Sequence, residues 1–325
     1  MSEPLTYLVP VRWEGGGQRA ELAGYLATLA PHCDEIIVVD GSPPPVFAAN
    51  RAAWGADAIH LAPDPADRCL MGKVAGVRTG LRRSSNERIV IADDDVRYDP
   101  AALRRAAEML AGHDLVRPQN YFRRLPWHAR WDTARTLLNR GFGVDYPGTL
   151  ALRRSRALAM GLYDGDVLFE NLELIRTVRA HGGTVASPPD LYVARLPPSA
   201  AHFWGQRTRQ AYDDFALPGR MALWLATLPL LGLALARRPR LALTAAVLAV
   251  LSAERGRRRA GGAAVFPATS SLLAPGWLLE RGVCAWLAVL QRLRFGGVRY
   301  GDSVIPTAAH SERTLKRRFA APRDR

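Results

Sequence analysis

Short apolar strands alternating with helical stretches, a strand running into three consecutive carboxylates, and a basic, apolar last third predict the architecture of this 325-residue chain. The expected class is α/β: a mostly parallel sheet flanked by helices, followed by an α-helical, membrane-associated C-terminal segment. Leu5 to Val11 reads as the first strand, and Arg19 to Leu29 as a helix with Leu22, Tyr25, Leu26 and Leu29 on one face. Glu35 to Val39 is a second strand, stopped by Asp40-Gly41-Ser42 and the prolines 43 to 45. Val46 to Trp54 reads as helix, Ala58 to Leu61 as a short strand, and Lys73 to Arg82 as helix again. The strand Arg88 to Ala92, the helix Pro100 to Ala111 and a strand at Leu115-Val116-Arg117 follow. No GxGxxG follows the first strand, so a dinucleotide fold is excluded, and Gly15-Gly16-Gly17 reads only as a flexible loop. Beyond Asn120, Ala134 to Asn139 and Leu172 to Ala180 read as helical.

Three consecutive segments are expected: residues 1–119, 120–215 and 216–325. The formal net charge is +14, and residues 216–325 hold 18 Lys+Arg against 5 Asp+Glu, so nearly all the excess lies there. Uncharged apolar runs, Met221 to Ala236 and Leu241 to Ala253, are separated by Arg237-Arg238-Pro239-Arg240. Apolar stretches flanked by arginine suit an anionic membrane surface and not nucleic acid, which asks for exposed basic and aromatic side chains. Each run falls short of the ~20 residues of a spanning helix. A hairpin, a re-entrant pair, an interfacial layer and a buried soluble core all remain open. Met1-Ser2-Glu3-Pro4 lacks the character of a secretory signal, and Cys33, Cys69 and Cys284 form no metal or disulfide framework. They read as buried thiols in a reducing compartment, which places the first two thirds in the cytoplasm.

The chemistry is carried first by Asp93-Asp94-Asp95, directly after the strand Arg88 to Ala92. A buried strand ending in acids aims oxygen ligands into the crevice where open α/β sheets bind ligands. Three adjacent like charges call for compensation, and a divalent cation, Mg²⁺ or Mn²⁺, with a bound diphosphate supplies it. The plainer alternative is a solvated acidic turn opening the next helix.

The order of motifs resembles family 2 glycosyltransferases of the GT-A fold, particularly membrane-associated inverting members. Tyr7-Leu8-Val9-Pro10-Val11-Arg12-Trp13-Glu14 resembles the opening strand with its Pro and nearby acid, and Ile36 to Ser42 the second strand with its Asp-Gly-Ser turn. Gly72-Lys73 is similar to the segment bordering the nucleotide, and Asp93 and Asp95 to the Asp-any-Asp motif. Phe169-Glu170-Asn171-Leu172-Glu173 resembles the segment supplying the catalytic base, and Gln206-Arg207-Thr208-Arg209 most of the Gln-x-x-Arg-Trp motif.

The resemblance implies a donor-binding half over 1–119 and an acceptor-binding, catalytic half over 120–215. Pro10, Glu14, Asp40, Lys73 and Asp93 would contact a nucleotide-diphosphate sugar, UDP- or GDP-linked, with Asp93 and Asp95 at the metal. Gln206, Arg207 and Arg209 would face the diphosphate, and His202 could supplement the metal site. Trp127 and Trp131 are the acceptor-side candidates because Trp faces stack on sugars, unless they are core. Asn171 stands at the base position and cannot ionise, so Glu170, with Glu173 in reserve, takes that role. Gln210 replaces the motif tryptophan, which favours transfer of one sugar over polymerisation. A lipid or envelope-glycan acceptor and a site at the cytoplasmic face of the cell membrane are expected. A sugar-1-phosphate nucleotidyltransferase, or a non-catalytic membrane-tethered scaffold on a degenerate transferase fold, are the alternatives.

Overall fold

The computed structural model describes residues 4–15, 18–301 and 303–320. Met1, Ser2, Glu3, Gly16 and Gly17 lie outside the described residues. The chain forms two compact units: one from the segments up to Pro118, Tyr146–Val193 and His310 onward, the other from Gln119–Asp145 and Ala194–Ala309. These units interleave, and so divide the chain differently from three consecutive segments. The reason lies in the first unit's sheet, which draws strands from both sides of residue 120.

That sheet has seven strands. Its first four, β1 (Leu5–Val11), β2 (Glu35–Asp40), β3 (Ile59–Leu61) and β4 (Arg88–Ala92), are parallel, in spatial order β3-β2-β1-β4. All seven residues of β1 are buried, the mark of a strand covered on both faces. Pro10 sits where β1 has run past its pairing with β4, which ends at Leu8↔Ile91, so its missing N–H breaks no bond on that side. The helix Gly72–Arg83 lies tight on β1, since a Cβ at Gly80 would meet Leu8 Cδ1 at 2.2 Å.

Beyond β4 the sheet turns antiparallel. Thr149–Arg153 pairs with β4 through Ala92↔Thr149 and with Leu115–Val116 on its other side, and Val185–Ala186 closes the edge. The sheet is therefore mixed but mostly parallel. The helix read as Pro100 to Ala111 is α-helical over Pro100–Glu108, with Asp99 accepting from the Ala102 N–H at 2.8 Å, and tightens into a 3₁₀ turn at Met109–Ala111.

The second unit is helical, with long helices Trp127–Phe142, Ala200–Tyr212, Pro218–Arg237, Pro239–Arg258 and Ala274–Phe295. Glycines allow the closest approach among them. A Cβ at Gly256 would lie 1.9 Å from the Leu137 carbonyl oxygen, and one at Gly141 would lie 2.5 Å from that of Ser252. Pro218–Arg237 is 20 residues long, more than its uncharged run, because Pro218, Gly219, Arg220 and Arg237 join the helix. It is long and apolar enough to cross a membrane, by length and composition alone.

Candidate functional site

In the first unit the carboxyl end of the sheet gathers Lys73, Asp93 and Glu170 from three separate elements. Lys73 is the second residue of the helix Gly72–Arg83, whose approach is fixed by the Met71 N–H donating to the Gly165 carbonyl at 2.9 Å. Asp93 follows β4 directly, and Glu170 opens the helix Glu170–Ala180, where the helix dipole favours a carboxylate. The Lys73 Nζ lies 2.5 Å from Asp93 Oδ1 and 2.7 Å from Glu170 Oε1. Burial opposes the ammonium charge, but Asp93 and then Glu170 outweigh it and hold the Lys73 pKa above its usual value.

The loop between residues 146 and 150 laces these elements together. The Asp93 N–H donates to the Gly148 carbonyl at 2.9 Å, and the Thr149 hydroxyl to the Ile91 carbonyl at 2.6 Å. From the other side the Asn171 amide Nδ2 donates to the Pro147 carbonyl at 3.0 Å. Asn171 therefore does something a carboxylate at that position could not: it ties the helix of Glu170 to the loop that hydrogen-bonds the Asp93 backbone.

The remaining carboxylates divide. Asp94 accepts from the Trp13 indole N–H at 2.5 Å, an anchor that spacing along the chain does not reveal. Asp95 is half-buried on the same turn. Glu14 is exposed, 3.6 Å from the Arg12 guanidinium, and Pro10 is buried in β1. Asp40 ends β2 with both oxygens engaged: Ser42 N–H at 2.8 Å on one, Asn50 Nδ2 at 2.9 Å and His60 Nε2 at 3.0 Å on the other. Burial alone would raise its pKa, yet these donors, His60 foremost, bring it down to about 2. Asp40 thus forms an Asx turn through the Ser42 N–H.

Glu173 is fully buried away from solvent, accepting from the His310 backbone N–H at 2.7 Å and from its Nδ1 at 2.9 Å. Together with Asp164, these side chains place metal-type ligand atoms within 4.8 Å of one another, and Arg318 completes the cluster by donating to Asp164 at 2.9 Å. Glu173 holds the C-terminal segment to the first unit. That pairing engages both of its carboxylate oxygens. Its partner, more than 130 positions along the chain, was invisible to spacing.

The other expected residues lie in the second unit. Arg207 is buried, with Nη1 at 2.9 Å from Asp132 and the guanidinium forked on Glu280, at 2.5 Å and 2.9 Å. The Trp131 indole N–H donates to the same Glu280 at 2.5 Å. Arg207 and Trp131 are thus engaged in interior contacts with Asp132 and Glu280. Burial forced this: an interior guanidinium needs anionic partners, and Glu280 lies in a helix not recognised from sequence. Arg209 stacks 4.9 Å over Tyr300, and Gln206 contacts His202. Trp127 stays 54% exposed beside Trp204, 53% exposed, with ring centroids 5.9 Å apart. The three cysteines are free: Cys284 is buried, whereas Cys33 and Cys69 are only half-buried. Burial pushes the Cys33 thiol up to about 12 and that of Cys284 up to about 11, so neither is a nucleophile.

No protein-family model matches the chain, and neither does any curated protein sequence. Among solved structures it is similar to the mannosyltransferase PcManGT from Pyrobaculum calidifontis, determined in complex with GDP-Man and Mn²⁺. That likeness covers 90% of this chain and 88% of the other, at 19% identity and TM-score 0.53. The fold is GT-A. Glucosyl-3-phosphoglycerate synthase from Mycobacterium tuberculosis, in complex with Mn²⁺, UDP and phosphoglyceric acid, overlaps 62% of this chain and 74% of its own at 18% identity. Its TM-score of 0.43 carries no structural argument. In a GT-A sheet the carboxyl ends of the parallel strands face the ligand crevice, and Asp93 stands at such an end.

Proposed function

We propose that the protein is a metal-assisted, inverting glycosyltransferase that moves one sugar from a UDP- or GDP-sugar to an acceptor hydroxyl or a lipid phosphate. The observation that carries this reading is the Lys73–Asp93–Glu170 constellation at the carboxyl end of a GT-A sheet. The mannosyltransferase of similar fold, with its GDP-Man and Mn²⁺, supports it.

The donor set suits a hard divalent cation: Asp93 and Asp95 offer carboxylate oxygens on one turn and no soft ligand. When bound there, the cation would neutralise charge on the leaving diphosphate. Lys73 is mobile enough at its head to exchange Asp93 and Glu170 for a phosphate oxygen, so it adds a second positive charge where the leaving group departs. Glu170 accepts the proton of the acceptor hydroxyl as its oxygen bonds to the anomeric carbon. The bond from that carbon to the diphosphate oxygen breaks with inversion, and the proton rests on Glu170. A phosphate acceptor carries no such proton, so sensitivity to Glu170 also reports the acceptor class.

The test is release of nucleoside diphosphate from a panel of UDP- and GDP-sugars, with and without Mn²⁺ or Mg²⁺, comparing wild type with Asp95→Ala. Metal-dependent release lost in the variant supports the proposal. No release from any donor, with membrane extract supplied as acceptor, overturns it in favour of a binding scaffold.

A further inference from the structure

The second unit is built inside out. In the helix Ala274–Phe295 the buried face carries the small residues Ala274, Gly282, Cys284, Ala285 and Ala288, with Trp277 and the guanidinium of Arg281, only 4% exposed. The outward face carries Leu279, Val283, Trp286, Leu287, Leu290 and Leu293, the last 79% exposed. Those positions recur at three- and four-residue intervals, so they form one continuous apolar stripe pointing outward. Pro239–Arg258 repeats the arrangement, with Ala249, Ala253 and Gly256 inward and Leu241, Leu243, Val247, Leu248 and Leu251 outward. Pro218–Arg237 adds exposed Leu230, Leu233 and Leu235. Helices in water hide leucine and show charge. Small residues at helix contacts and large apolar side chains outside are the pattern for helices whose solvent is lipid.

We propose that these three helices lie flat in the headgroup–acyl boundary of an anionic membrane, without crossing it. Charge selects the occupant. Residues 216–309 carry 12 Lys+Arg against 3 Asp+Glu, so a second copy of this face would be repelled where an anionic leaflet is attracted. Arginine also selects the geometry. Arg237, Arg238 and Arg240 are all exposed at the turn between the first two helices, and a hairpin pushed into the bilayer would carry all three into or through the hydrocarbon. A chain that crossed along Pro218–Arg237 would have to return along Pro239–Arg258. Its uncharged run, Leu241 to Ala253, reaches only about 20 Å, against a hydrocarbon core of ~30 Å, before Glu254 and Arg255. In Ala274–Phe295, Glu280 and Arg281 lie a third of the way along, and the uncharged run after them, Gly282 to Gln291, reaches only about 15 Å before Arg292. Lying flat satisfies every one of these constraints: leucines enter the acyl boundary while arginines stay level with lipid phosphates. This inference stands apart from the proposed sugar transfer.

The experiment adds the purified full chain to preformed sealed vesicles of phosphatidylcholine, alone or mixed with phosphatidylglycerol, and scores flotation. An Arg238→Cys variant then reports the turn through a thiol reagent that cannot cross bilayers, read against wild type. Flotation with the anionic vesicles, weakened by salt, with the introduced thiol still labelled from outside, is the expected result. Leu230→Glu with Leu290→Glu, both at exposed positions, should lower the bound fraction at least about tenfold because binding scales with buried apolar area. An unchanged melting temperature in vesicle-free buffer shows that this loss is not unfolding. Bound protein with the introduced thiol protected would overturn the flat geometry in favour of crossing. Failure to float with any vesicle would overturn the lipid assignment, and a dimer in sedimentation would then identify a second copy as the cover.

Discussion

The two units each hold one cation between two carboxylates, and the two triplets behave as opposites. Lys73 sits between Asp93 and Glu170 with its side chain 21% exposed, whereas Arg207 sits between Asp132 and Glu280 at 4%. The second triplet is further tied into the fold, since Asp132 also pairs with Arg135. The head group and the water around it differ as well. A lysine ammonium is a point charge on a flexible stem, able to leave one oxygen for another, while the planar guanidinium of Arg207 is forked onto Glu280 and pinned. Asp132 shows the pinning: burial alone would raise its pKa, but Arg135 and then Arg207 hold it well below the usual carboxylate range. An exchangeable triplet suits chemistry, and a locked one suits architecture.

The comparison breaks most sharply at Glu170. Glu170→Gln should lower turnover with a hydroxyl acceptor by roughly two to four orders of magnitude, about 3 to 5 kcal/mol, with donor affinity and melting temperature nearly unchanged. Normal turnover in that variant, measured as nucleoside diphosphate release, removes the base assignment or points to a phosphate acceptor. The mirror experiment is Arg207→Met. Asp132 keeps Arg135 and Glu280 keeps the Trp131 indole N–H, but both lose the buried guanidinium, and the loss should be about 3 kcal/mol, lowering the melting temperature by roughly 10 °C. A variant that melts like wild type but fails to bind donor would return Arg207 to the role its motif implied.

The first unit was more legible in the sequence than the second, for a physical reason. β1, β2 and β4 are apolar runs punctuated by Pro, Gly and Asp, and their local chemistry alone marks them. Thr149–Arg153, though preceded by Pro147-Gly148, joins the sheet antiparallel through pairing with a strand some 60 positions earlier, so its place in the sheet is defined by tertiary contact. In the second unit the usual rule inverts. Leu290 outside and Arg281 inside defeat any reading that assigns leucine to the core. At the site, Lys73, Asp93 and Glu170 were each found by type and motif. His60, Trp13 and His310 were not, because each matters only through a partner remote in the chain.

Asp40 sharpens the same contrast on a smaller scale, since it too is a carboxylate satisfied by the fold. Its folded pKa of about 2 lies below its ordinary value of 3.8. The stabilisation is therefore fully present above pH ~4 and lost as pH falls through about 2, amounting to about 2 kcal/mol. Acid unfolding of wild type and Asp40→Asn should converge across that window, with wild type the more stable at neutral pH. Parallel curves would mean that His60, Asn50 and Ser42 do not hold the charged form.

The smallest effect is expected at Asn171, and it separates a strut from a lost base. If the residue is a strut, Asn171→Asp replaces a donor with an acceptor facing the Pro147 carbonyl 3.0 Å away. The loop that braces Asp93 loosens, stability falls by about 1 kcal/mol, and turnover drops with it. Asn171→Ala should then resemble Asn171→Asp, because both remove the donated hydrogen bond. If the position is instead a base that this chain has forfeited, the aspartate variant alone gains turnover, with a new acidic limb in its pH–rate profile. The pair of variants decides, since a structural role moves both the same way and a catalytic role moves them apart.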